Sequence, residues 1–138
     1  MDDSLEQWLY RAEAQLLVWS YSHQVTVDYA EFGDGVAQYR IRVILLNRSQ
    51  LQCVERVRLQ PDGLHFEKYS FHWQRPDGSL IFRCDNAPHH PELSTFPHHI
   101  HESDDAHVMP HEAIDVAEVL EKIEKILAEP SQNERSED

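Results

Sequence analysis

The 138-residue chain is short of cysteine, of positive charge and of long apolar runs. Two cysteines cannot build a disulfide framework. Cys53 and Cys84 fall inside expected strands and read as small buried hydrophobes of a reducing compartment. No apolar run approaches the length of a membrane span, and the acidic start MDDSLEQW is unlike a signal peptide. A cytoplasmic protein with no membrane partner is therefore expected. Twelve Lys and Arg against 25 Asp and Glu leave a net charge of −13 with neutral histidine. That balance argues against a general nucleic-acid binder, because a phosphate backbone would be repelled. It is compatible with a basic protein partner. The 41% apolar and 27% charged content fits one soluble domain. It is expected over 1–128, with 129–138 as a disordered acidic tail.

What the chain has in excess is histidine. The stretch DNAPHHPELSTFPHHIH, Asp85 to His101, holds five of the ten histidines and three of the seven prolines. Pro88, Pro91 and Pro97 fix φ and push their preceding residues out of the helical region, so an extended, stiffened loop is expected. Imidazole titrates near pH 6.5 and carries one donor and one acceptor when neutral. Pairs of histidines in a stiff loop point to proton chemistry, anion contact or metal ligation.

Leu5, Trp8, Leu9, Ala12, Leu16 and Trp19 recur at helical spacing, predicting a helix from Ser4 to about residue 19. From His23 the period becomes two. Turn signals at Gly33-Asp34-Gly35, Asn47-Arg48-Ser49, Pro61-Asp62-Gly63 and Pro76-Asp77-Gly78 divide this region into five strands, at about 23–31, 36–46, 51–60, 64–74 and 79–85. Leu64 and Phe66 are out of phase with Tyr69, Phe71 and Trp73, which predicts a bulge near Glu67-Lys68. Pairing Gln74 with Ser79 sets His72 opposite Ile81 and Ser70 opposite Arg83. Tyr69, Phe71, Trp73, Leu80, Phe82 and Cys84 then share the core face, with Ser70, His72, Gln74, Arg83 and Asp85 on the other. A second helix should start at Asp115, with Glu118 completing a cap pair, and stop at Pro130. The fold class is α+β: a five-stranded antiparallel meander with a helix at each end packed on its apolar face.

Three chemical readings of the loop stay open on the residues alone. One is metal-independent RNA cleavage, which needs a base, an acid and a cation for the phosphate; the loop histidines and Arg83 supply all three. Another is a metal site: His99 and His101, two apart in an extended segment, point to one side, and Asp85 or His89 could complete a set, although no established zinc spacing is present. The last is structural, with histidine and Asn86 side chains bonding the backbone of a long loop.

The run from Tyr69 to His101, YSFHWQRPDGSLIFRCDNAPHHPELSTFPHHIH, resembles the TumE-like family of small bacterial and archaeal proteins. The match lies in an aromatic-rich strand, a strand ending R-x-D-N-A-P-H-H, a T-F-P-H-H-x-H segment and a C-terminal helix. The resemblance implies the toxin half of a toxin–antitoxin pair, a helix-turn-helix antitoxin as partner, and a compact architecture akin to RelE-like and barnase-like toxins, many of which cut RNA. It implies Arg83, Asp85, Asn86, His89, His90, His98, His99 and His101 as the functional set. Of these, Arg83, Asp85 and the five histidines are the catalytic candidates and Asn86 a binding candidate, joined by His72 and Ser70, which the register places on the face of Arg83 and Asp85; the resemblance does not say which of them is catalytic. No metal and no cofactor are expected; RNA is the substrate implied, and a homodimer is left open. The alternatives are an acidic, non-enzymatic module for a basic helix-turn-helix partner and a metal-dependent hydrolase built on the histidine loop. RelE-like toxins are commonly basic, so a site for RNA here would need local positive charge from Arg40, Arg42, Arg56, Arg58, Lys68, Arg75 and Arg83.

Overall fold

The first helix forms where the apolar stripe predicts it. A computed structural model of the chain describes residues 4–129. In it α1 spans Leu5–Val18, and the Ser4 side chain accepts the Gln7 N–H at 3.1 Å, satisfying one donor the helix itself cannot. Trp8, Ala12 and Leu16, each four residues on, form its buried face. The second helix, α2, spans Val116–Ala128. Asp115 and Glu118 cap it reciprocally, and Val116, Val119, Leu120 and Ile123 are buried. The expected stop at Pro130 and all but the first residue of the expected tail lie outside the described residues. No helix is long and apolar enough to cross a membrane.

The strands are β1 (Ser22–Gly33), β2 (Val36–Leu45), β3 (Gln50–Gln60), β4 (Gly63–Gln74), β5 (Leu80–Asp85), β6 (His99–Glu102) and β7 (Val108–Pro110). They form one sheet in sequence order, each antiparallel to the next. The first turn needs a left-handed backbone at Asp34 and Gly35. A Cβ on Gly35 would sit 2.7 Å from the Leu59 carbonyl oxygen, so only glycine fits. The expected bulge is present: Arg56 pairs with Lys68 and Val57 with Phe66, leaving Glu67 unmatched.

Two expectations are corrected. The sheet has seven strands, because the end of the histidine loop pairs onto β5 and the segment before α2 pairs in turn onto that strand. Ile100 is the reason: it is buried in the core, and this stitches His99–Glu102 to the sheet. The β4–β5 register also differs. Gln74 pairs with Leu80, His72 with Arg83 and Ser70 with Asp85. Ser79 instead closes the turn with Arg75 and with the Asp77 carboxylate, and a second bulge leaves Ile81 unmatched. Leu80 thus joins Gln74 outside the core cluster, while Ile81 packs against it. The two-face assignment otherwise holds, with Tyr69, Phe71, Trp73, Phe82 and Cys84 buried on one side.

Both helices cover that side. The Trp8 ring lies 4.9 Å from Tyr39 and the Lys122 amine 5.4 Å from the Phe82 ring, so α1 lies over β2 and α2 over β5. Trp19 joins the helices by donating its indole N–H to Glu124 at 2.7 Å. Both cysteines are free and buried, and burial pushes the Cys84 thiol up to about 12. The other face of the sheet carries no helix among the described residues.

Candidate functional site on the helix-free face

The register lays polar side chains in two rows across the uncovered face, since directly paired residues point to the same side. One row runs Thr26, Arg42, Gln52, His72, Arg83, His101; the next runs Asp28, Arg40, Val54, Ser70, Asp85, His99. The alternation that sends Cys84 and Ile100 into the core thus sends Arg83, Asp85, His99 and His101 out together. Arg56 and Lys68 form a partial third row beside Gln38. The cations expected on this phase are therefore on it, apart from Arg75, which belongs to the β4–β5 turn.

Asp85 is the hub. Its Oδ2 accepts from Arg83 Nε at 3.0 Å, and its Oδ1 accepts from the Ala87 N–H at 3.0 Å and lies 2.9 Å from His99 Nε2. His101 Nε2 is 4.0 Å from Asp85 Oδ2. The loop folds back so that the His90 ring stands 5.0 Å from His99 and 5.8 Å from His101, the latter two being 4.9 Å apart. Asp85, His99 and His101 are nearly inaccessible, at 7%, 2% and 4% exposure. His90 is the partly exposed member. Burial, with Arg83 next in effect, holds His101 below the usual imidazole range and favours its neutral form. Its Nδ1 lies 3.1 Å from the Asp105 carbonyl and that of His99 2.9 Å from the Pro97 carbonyl. A carbonyl can only accept, so both Nδ1 atoms carry protons and both Nε2 atoms face inward.

The remaining candidates lie elsewhere. His98 is one residue out of phase with His99; it points to the other side, 2.8 Å from the Tyr69 hydroxyl and stacked on that ring. His89 is exposed. Asn86 extends the β4 ladder past Asp85: its Oδ1 accepts the Tyr69 N–H at 2.9 Å and its Nδ2 donates to the Glu67 carbonyl at 3.3 Å. Its amide is thereby occupied in closing the sheet. His72 bonds Gln74 at 3.0 Å, beside Arg83 in the row. Ser70 and Asp85 line an open groove of about 260 Å³ with Arg40, Gln52 and Lys68. No ion pair among the described residues involves Arg40 or Lys68.

Sequence reasoning passed over Asp105, which ion-pairs with Arg83 Nη1 at 2.8 Å and brings the acidic β6–β7 turn to the site. Its only signal is its place in the acidic run Glu102-Ser103-Asp104-Asp105, which does not say which carboxylate turns inward. Glu55 was passed over as well. It sits between Cys53 and Val57 in the apolar phase of β3, so alternation alone places it in the core. There it accepts from the Trp8 indole at 3.1 Å and from the Tyr39 hydroxyl.

A protein-family model described as Toxin TumE matches residues 14–134. No curated protein and no solved structure matches the chain.

Proposed function

The chain belongs to the TumE toxin family, and from that premise we propose that it is the toxin of a toxin–antitoxin pair and that it cleaves RNA on the helix-free face of its sheet. The observation that supports this reading best is the convergence of Arg83, Asp85, His90, His99 and His101 beside a groove carrying Arg40 and Lys68. Phosphodiester cleavage needs a cation on the phosphate and a base for the attacking oxygen. Arg83 is oriented for the first role. Its Nε is held by buried Asp85, while its Nη1 rests on a carboxylate that is 72% exposed and exchangeable for a phosphate. The histidine cluster supplies the base, and Arg40 and Lys68 steer the neighbouring phosphates. His72 and Ser70 lie along the track between groove and cluster. His89, His98 and Asn86 stand outside this centre.

The charge of −13 resides outside these rows for the most part, so the protein repels RNA at long range yet offers a cationic strip at close range. The same imbalance favours a basic antitoxin, of the helix-turn-helix kind, as the partner that covers the strip's surroundings.

The test is expression in a host lacking the antitoxin, with growth and total RNA followed over time. Wild type should arrest growth and degrade RNA. Arg83→Ala and His101→Ala should do neither while keeping the wild-type far-UV spectrum, and His98→Ala should remain toxic. A wild type that leaves RNA intact refutes the nuclease reading. Toxicity that survives both Arg83→Ala and His101→Ala refutes the site.

A further inference from the structure

The hydrogen-bond inventory of the cluster is one donor short. His99 has a carbonyl oxygen 2.9 Å from Nδ1 and a carboxylate oxygen 2.9 Å from Nε2, both acceptors. A neutral imidazole has a single N–H and can satisfy only one of them. Either the ring is a buried imidazolium, or a cation stands between Nε2 and Asp85. The surrounding geometry points to the second. All three rings have Nδ1 turned to an outer acceptor: Pro97 O for His99, Asp105 O for His101, and the Glu92 carboxylate at 3.5 Å for His90. For His99 and His101 that arrangement leaves the Nε2 lone pairs free, as in metal-ligating histidines whose far nitrogen is bound to a carbonyl, and His90 has a carboxylate on the same side.

We propose that Nε2 of His90, His99 and His101, together with Oδ1 of Asp85, forms a site for one first-row divalent cation of the zinc class. A ligand atom of each histidine lies within 4.8 Å of the others, and the rings stand at 66–81° to one another, as around a shared centre. Ligand atoms bound at ~2.0–2.2 Å to a tetrahedral ion are separated by roughly 3.3 Å. The Asp85–His99 contact, at 2.9 Å, is already near that spacing, Asp85 lies 4.0 Å from His101, and the three histidine ligand atoms lie within 4.8 Å of one another. Three imidazoles and one carboxylate suit zinc-like ions over calcium or magnesium, which prefer all-oxygen sets. Arg83 and the Ala87 N–H hold the carboxylate in place from behind. Two ligands come from one strand, one from the neighbouring strand and one from the loop, so the ion pins the loop to the sheet. The ion also departs from the metal-free chemistry expected from the sequence. It does not rest on RNA being the substrate; were RNA the substrate, the histidines would supply the base indirectly, through a water that the ion would carry.

The test uses the full chain without a histidine tag, stripped with chelator and equilibrated against Zn2+ by dialysis. Bound metal is measured per chain, and Co2+ is added separately to read the visible absorption of a four-coordinate nitrogen–oxygen site. Wild type should retain one equivalent and show the Co2+ bands. His90→Ala, at a partly exposed loop residue whose loss spares the core, should weaken binding at least tenfold. His101→Ala should lose the bands. His89→Ala and His98→Ala should bind like wild type, which sets aside adventitious binding by the other histidines. The proposal is overturned if wild type holds no equivalent of Zn2+, or if His90→Ala and His101→Ala both bind as wild type does. Because no RNA is present, failure of the nuclease assay leaves this result untouched, and failure here leaves the nuclease assay untouched.

Discussion

Among the described residues two carboxylates are buried to a similar extent on opposite faces of one sheet: Glu55 at 5% exposure and Asp85 at 7%. Glu55 lies under α1 among aromatic rings and is held by two neutral donors, Trp8 and Tyr39. Asp85 is held by a guanidinium and a backbone N–H, with an imidazole nitrogen 2.9 Å away. Each accepts two hydrogen bonds, yet only Asp85 has opposite charge beside it. Burial accordingly raises the Glu55 pKa, with the two donors opposing it. Filling a carboxylate's lone pairs and compensating its charge are separate tasks, and the two faces divide them. The core face uses its acid as an acceptor that orients α1; the open face uses its acid to organise cations.

The largest expected difference between the two is functional. Asp85→Ala leaves buried His99 and half-buried Arg83 without the carboxylate they share, although Arg83 keeps Asp105. It should abolish toxicity and lower stability by about 3 kcal/mol in chemical denaturation. Glu55→Gln should stay fully toxic. If the two variants lose activity alike, the division between faces fails. Next in size, Trp8→Phe removes one of two donors from a buried carboxylate and should cost about 1–2 kcal/mol, measured the same way, with toxicity retained.

A third difference lies in pH. The folded-state pKa of Glu55 is raised, so the folded chain binds a proton there more readily than the unfolded chain does. The resulting penalty is absent below the ordinary glutamate range, grows as pH rises through the folded value, and is constant above it. The melting temperature of Glu55→Gln relative to wild type should therefore climb as pH rises from acid to neutral and level off above it. A gap that is flat or widens toward acid contradicts the assignment. The smallest effect is expected from His98→Ala: about 1 kcal/mol from its contact with Tyr69, and no change in activity.

Much of this was legible in residue alternation. Both helices, their caps, the first five strands and the Glu67 bulge follow from periodicity and turn residues. The last two strands were hidden because three prolines and five histidines in 85–101 mark a loop by composition, even though His99-Ile100-His101 alternates as a strand does. That same alternation separates His98 from His99, and Glu55 from its neighbours' chemistry, so both were open to a phase argument. The choice of His90 over His89 was not. It depends on how the loop curls through its own turns, with the Leu93 N–H on the His90 carbonyl and the Phe96 N–H on the Leu93 carbonyl. The β4–β5 register was hidden likewise, since side-chain and backbone bonds from Asp77 and Arg75 to Ser79 lengthen the turn and force a compensating bulge.

Every strand of the sheet pairs with its neighbour in the chain. Assembly can therefore proceed by closing one short loop after another, and the entropy of each closure grows only as the logarithm of its length. The exception is the stretch from Asn86 to His98, the longest connection between consecutive strands. Joining β6 to β5 is thus the most costly single closure in the sheet, and the contacts at its ends, Asp85 with His99 and Ile100 with the core, must offset it. The cluster of Asp85 and histidines then doubles as the clasp of the last two strands. Loosening it should expose the amides of 99–110 to hydrogen exchange well before those of β2 and β3, making the β6–β7 edge the part of the sheet that opens first.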